Sequence, residues 1–188
     1  MRRRTASVYS ITFMAVMAAL VYVVTLFRFP LLGSKVHFAN AICLLSGLLL
    51  GPVQGGVAAG LGSALYDALA GGYDLVNVLI TFVSKFLMAW VCGRIVRSAE
   101  RLSLRRLLVA AAAGSLTYVA AYMLKTFVFQ RFVYGYPLDA TWATMVSKLI
   151  PSLINAAVSL VAAPVFYHGL LPALRKSGVL EKMNPGAL

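Results

Sequence analysis

Three lysines, Lys85, Lys125 and Lys148, stand inside long apolar stretches of this 188-residue chain. An ammonium group placed mid-helix in hydrocarbon costs about 2.5–3.5 kcal/mol on the insertion scale, so three facing lipid would cost roughly 8–10 kcal/mol. That is comparable to the whole stability of many domains. Each must therefore face another charge, an acid or water. The polar residues around them keep helical spacing. Asn77, Thr81, Ser84 and Lys85 fall on one face of a helix. Tyr118, Tyr122 and Lys125 follow at i, i+4 and i+7, and Thr141, Thr144, Lys148, Ser152 and Asn155 mark a third face. At 1.5 Å per residue, Lys85 lies about 15 Å, Lys148 about 12 Å and Lys125 about 7 Å below the same ends of their helices. The chemistry this predicts is a water-accessible pocket with excess positive charge, suited to a ligand carrying a carboxylate or phosphate. Asn40 and Asp67 are further candidates for its wall. The competing expectation is a set of structural ion pairs in which Asp67 takes one lysine and Lys125 snorkels to the interface.

Composition identifies the solvent around these faces. Hydrophobic residues make up 61% of the chain and charged residues only 12%, against about 25% charge in soluble domains. This excludes a soluble enzyme and a secreted disulfide scaffold, and the long continuous runs exclude a transmembrane β-barrel. The runs predict an all-α integral membrane protein with six spans, about 8–27, 38–50, 55–70, 75–96, 107–129 and 140–171, in one domain. The second and third are short for a full crossing and are expected to be tilted or shielded by neighbours. Gly51-Pro52 separates them by a tight turn, and Pro151 and Pro164 are expected to kink the last span.

Charge sets the expected orientation. The net charge is +12, which in a membrane chain reads through the positive-inside rule rather than as a nucleic-acid surface. Eleven of the 17 basic residues fall on one side when both termini are placed in the cytoplasm. They are Arg2, Arg3, Arg4, Arg94, Arg97, Arg101, Arg105, Arg106, Arg175, Lys176 and Lys182. Only Arg28, Lys35 and Arg131 fall in the opposite loops. The lysine pocket would then open outward, and the segment 29–37, with Lys35 and His37, and the loop carrying Tyr134 and Tyr136 could close over it.

Small residues recur every four positions in the third span, as Gly55, Ala59 and Ser63 and, beside them, Gly56, Gly60, Ala64 and Ala68. Such ridges let helix backbones approach closely. Ala15 and Ala19 form a similar one-turn pair in the first span. Cys43 and Cys92 lack metal-ligand spacing and read as packing residues. His37 and His168 stand near opposite faces with no acid cluster or nucleophile motif, so neither a metal site nor an intramembrane enzyme is expected.

The stretch Gly47-Leu48-Leu49-Leu50-Gly51-Pro52-Val53-Gln54-Gly55-Gly56, then Gly62-Ser63-Ala64-Leu65-Tyr66-Asp67 and Thr81-Phe82-Val83-Ser84-Lys85, resembles the substrate-binding S components of energy-coupling factor (ECF) vitamin transporters. The Gly-Ser-Ala-x-x-Asp and Thr-x-x-x-Lys patterns look closest to the riboflavin and pyrimidine-precursor branch. The resemblance implies a prokaryotic-type, multi-pass cell-membrane subunit that captures a vitamin or precursor from outside, without a cofactor. It also implies reorientation against a transmembrane coupling subunit driven by two ATPase subunits, with Ala15 and Ala19 matching the family's Ala-x-x-x-Ala docking motif. No Gly-x-x-x-x-Gly-Lys-Ser/Thr loop is present, so ATP binding would belong to the partners. A stand-alone secondary carrier or a structural membrane partner remains the alternative. A coupled carrier would more commonly show intramembrane acids and paired repeats.

Overall fold

The apolar runs form six helices in the computed structural model, which describes residues 8–31, 34–98, 103–179 and 182. They are α1 (Val8–Leu26), α2 (Ala39–Leu50), α3 (Pro52–Leu69), α4 (Leu75–Arg97), α5 (Leu104–Val128) and α6 (Leu138–Lys176). Between α1 and α2 the chain forms a small hairpin of β1 (Phe29–Leu31) and β2 (Ser34–Val36), pairing Phe29 with Val36 and Leu31 with Ser34. Hydropathy alone does not mark this hairpin, because three-residue strands carry too little pattern. Arg2, Arg3, Arg4 and Arg101 lie outside the described residues.

Among the described residues, four segments are long and apolar enough to cross a bilayer: α1, α4, α6 and α5 with its continuation to Val133. That continuation is a π-helical turn, Phe129–Val133. The 39 residues of α6 run continuously through Pro151, Pro164 and Pro172. At 1.5 Å per residue it is about 58 Å long, well beyond a ~30 Å hydrocarbon core. By contrast α2 has only 12 residues, and all but Leu49 are buried. It is a central strut wrapped by other helices, which is how so short a segment avoids a mismatch with lipid.

Close backbone approaches hold α2, α3 and α4 together. Gly51 takes φ 78°, a left-handed conformation that favours glycine, and Pro52 follows at the first position of α3. Proline is suited to that site because its missing N–H would have no helical partner there. The helix consequently begins three residues before the expected start at Gly55. A Cβ on Gly47 would collide with the Ala89 carbonyl oxygen of α4, and one on Gly62 with the Ala18 carbonyl oxygen of α1. Gly56 and Gly60 receive the Phe86 and Phe82 rings, whose nearest atoms would lie 2.8 and 2.9 Å from an added Cβ. The α3 ridge is thus filled by ring faces from α4 and backbone from α1 and α2.

The bundle has two unlike ends. At one, α1 finishes, α4 and α6 begin, and the hairpin sits. At the other lie Arg94, Arg97, Arg105, Arg106, Arg175 and Lys176, where the Arg106 side chain reaches the Ile95 carbonyl at 3.1 Å and Ser98 Oγ at 2.6 Å. Those bonds fasten the end of α4 to the start of α5.

Gly47→Leu is expected to destabilise the detergent-solubilised protein by about 1–3 kcal/mol, the usual cost of overpacking. Gly169→Leu, at a position with nothing within 4 Å of an added Cβ, should leave the thermal midpoint near that of the parent. Equal midpoints for the two variants would contradict this packing account.

Candidate functional site

At the hairpin end, the helices part around a cavity of about 460 Å³. Its floor is Lys85, which is 4% exposed. The Lys85 ammonium donates to Asn40 Oδ1 on α2 and lies 3.6 Å from the centroid of the Tyr118 ring on α5. One charge-assisted hydrogen bond and one aromatic face thus replace much of its water shell. The expected Asp67–lysine pair is absent at Lys85: its partner is an amide on the buried strut. Tyr118 in turn stacks with Tyr122, centroids 6.1 Å apart and planes 14° from parallel.

Around that floor the structure brings together most of the polar positions read from helical spacing. Asp67, Asn77, Thr81, Ser84, Tyr118, Tyr122, Lys125, Lys148 and Asn155 all line the cavity, as do His37 and Tyr134. Asn40 does not line it, because it lies beneath Lys85 at 2% exposure and accepts the ammonium's hydrogen bond there. Tyr136 is exposed and stands off the cavity, where its carbonyl accepts from Arg131 at 3.1 Å. Lys35 pairs through its backbone with Pro30 in the hairpin, while its side chain lies outside the described residues. Directly after the hairpin, the His37 backbone N–H donates to Asn155 Oδ1 on α6 at 3.0 Å. This bond ties the chain just past the hairpin to α6.

Helical spacing on α4, α5 and α6 does not reveal the contribution of α1 and α3. Thr25 from the end of α1, Arg28 two residues beyond it, Tyr66 from α3 and Gln130 from the π-helical turn also line the cavity. Arg28 places its guanidinium 5.0 Å from the Tyr66 ring centroid. Its sequence neighbourhood reads as a loop charge, and only the adjacency of Tyr66 to Asp67 hints that α3 turns an aromatic inward. On the rim, Asp74 caps α4 by accepting from the Asn77 backbone N–H at 3.0 Å and from the Asn77 side chain. These hydrogen bonds hold the Asp74 carboxyl below its ordinary value of 3.8. A lowered carboxylate pKa stabilises the fold above its unfolded value and loses that contribution as pH falls through the folded one, so the cap is intact at neutral pH.

A bundle with several helices able to cross a bilayer, enclosing a charged and aromatic cavity at one end, defines an integral membrane protein of the solute-binding kind. The family model of the ECF-type riboflavin transporter, S component, matches residues 5–171, and the chain belongs to that family. The fold is similar to that in the crystal structure of FolT bound with folic acid, with a TM-score of 0.59, 20% identity, and coverage of 84% of this chain and 90% of that one. No curated protein sequence matches the chain.

Removing the acceptor beneath Lys85 should be costly. Asn40→Ala leaves a buried ammonium without that bond and is expected to destabilise by about 1–3 kcal/mol or more. Adding Lys85→Met to Asn40→Ala should recover much of the loss in a thermal unfolding assay. Additive losses in the double variant would show that the two residues act independently.

Proposed function

We propose that the chain is the substrate-capturing subunit of an ECF-type importer in the cell membrane, acting as one membrane unit and holding a riboflavin-class vitamin or vitamin precursor in the hairpin-end cavity. The observation that carries this reading is the cavity itself, in a chain of the S-component family. Its volume of about 460 Å³ falls within the ~300–1,000 Å³ of ordinary small-molecule sites. Tyrosine rings, hydroxyls and amides from several helices converge there, as a polar heterocyclic ligand requires. Arg94, Arg97, Arg105, Arg106, Arg175 and Lys176 gather at the opposite end, so the positive-inside rule turns the cavity outward and both termini inward.

Delivery then needs a partner. The face of α1 carrying Ile11, Ala15, Val16, Ala19 and Leu20 is exposed along its length. Two alanines one turn apart in that face allow another helix to approach closely. This reading makes it the docking face for a transmembrane coupling subunit, which two ATPase subunits drive. On the cavity side, Asp67, Asn77, Thr81, Ser84, Lys85, Tyr118, Tyr122, Lys125, Lys148 and Asn155 contact the ligand, and Asn40 positions Lys85.

Ala15→Trp and Ala19→Trp are expected to keep riboflavin binding in detergent while losing co-purification of the ATPase subunits from the native host and uptake by whole cells. Loss of binding together with uptake would place the fault in the fold rather than in docking. Unchanged co-purification would remove α1 as the docking face.

A further inference from the structure

We propose that the ligand carries an anionic group, a carboxylate or a phosphate, which sits between Arg28 just beyond α1 and the ammonium groups of Lys125 and Lys148. This rests on reading the cavity as the binding site and adds the charge class of what it binds.

Four cations line the cavity, Arg28, Lys85, Lys125 and Lys148, against two carboxylates, Asp67 and Asp74. The protein itself already occupies two of these six. Lys85 is committed to Asn40 and the Tyr118 face, and Asp74 to capping α4 through Asn77. These partners are neutral and remove no charge, so four cations still face two carboxylates, and Arg28, Lys125 and Lys148 are the cations left to meet a ligand. Lys125 and Lys148 both line this cavity, so the two ammonium groups share one field across it. Like charges walled by low-dielectric protein repel far more than in water, and two acids cannot balance four cations.

The state of Arg28 points the same way. Its Nη1 is buried and has no hydrogen-bond partner, although its guanidinium rests on Tyr66. A buried donor left unpaired costs free energy and needs an explanation. An anionic acceptor brought by the ligand supplies one, since guanidinium pairs well with carboxylate or phosphate oxygens. Gln130 Oε1, also on the cavity wall, is likewise buried without a donor. The ligand therefore presents acceptors towards Arg28 and at least one N–H or O–H towards Gln130. An uncharged vitamin would satisfy the second requirement and leave the charge imbalance standing.

The test is equilibrium binding of riboflavin and riboflavin 5′-phosphate to the full chain in detergent, as a neutral and an anionic member of one class. The phosphate is expected to bind about tenfold tighter, in line with a charged hydrogen bond. Arg28→Gln and Lys148→Gln should each bring the ratio of the two affinities towards one, and Lys148→Arg, which keeps the charge, should preserve it. Riboflavin binding as tightly as its phosphate, or a ratio unmoved by Arg28→Gln and Lys148→Gln, overturns the anion subsite while leaving the proposed function in place. Failure of both ligands to bind overturns the proposed function and the subsite together.

Discussion

A lysine ammonium inside a lipid-embedded bundle must be given a substitute for water, and in this chain much of the architecture around the cavity follows from how Lys85 receives one. The acceptor is Asn40, an amide on a helix with no long lipid-facing side. The second contact is the face of Tyr118, whose ring stacks on Tyr122. The amide must stay fixed and dry, which requires α2 to be buried between its neighbours. The ring must stand over the ammonium, which sets the rotation of α5. Lys85 thereby joins α2, α4 and α5 at the depth where the cavity begins.

Glycines make that arrangement sterically available. Gly47 brings α2 against the Ala89 carbonyl of α4, and Gly56 and Gly60 let the α4 phenylalanines lie on α3. Without an apolar driving force between helices in lipid, such close contact is a main source of association. Tight packing on the α2–α3–α4 side contrasts with the hairpin end, where α1, α3, α4, α5 and α6 stand around open space. Close packing and open space therefore occupy different regions of one bundle. The apolar, glycine-seamed half holds the shape, and the polar half encloses the cavity.

Much of this was legible in the sequence because membrane helices obey two simple periodicities. Continuous hydropathy located the six helices, and i, i+4 spacing of Thr81 with Lys85, Tyr118 with Tyr122, and Lys148 with Ser152 located three walls of the cavity. The rest depended on long-range placement. Asn40 is a lone polar residue in an apolar run, and nothing local says that it lies 45 positions from its partner and beneath it. Arg28 follows the end of a helix, where a charge is ordinary, and its place on the cavity wall emerges only when Tyr66 comes to lie under it. The hairpin was missed because strands of three residues give alternation nothing to act on, while Pro52 at a first-turn position extended α3 past the point where proline alone suggests a stop.

The central claim is that the hairpin-end cavity holds one small molecule of the vitamin class. Native mass spectrometry of the purified chain, incubated with riboflavin and its 5′-phosphate and released from detergent in the gas phase, tests it most directly. The account predicts a one-to-one adduct at the mass of one of these ligands, displaced in a variant whose cavity is filled by Thr81→Trp. A bare chain under the same conditions, or an adduct that persists unchanged in the filled variant, would contradict it.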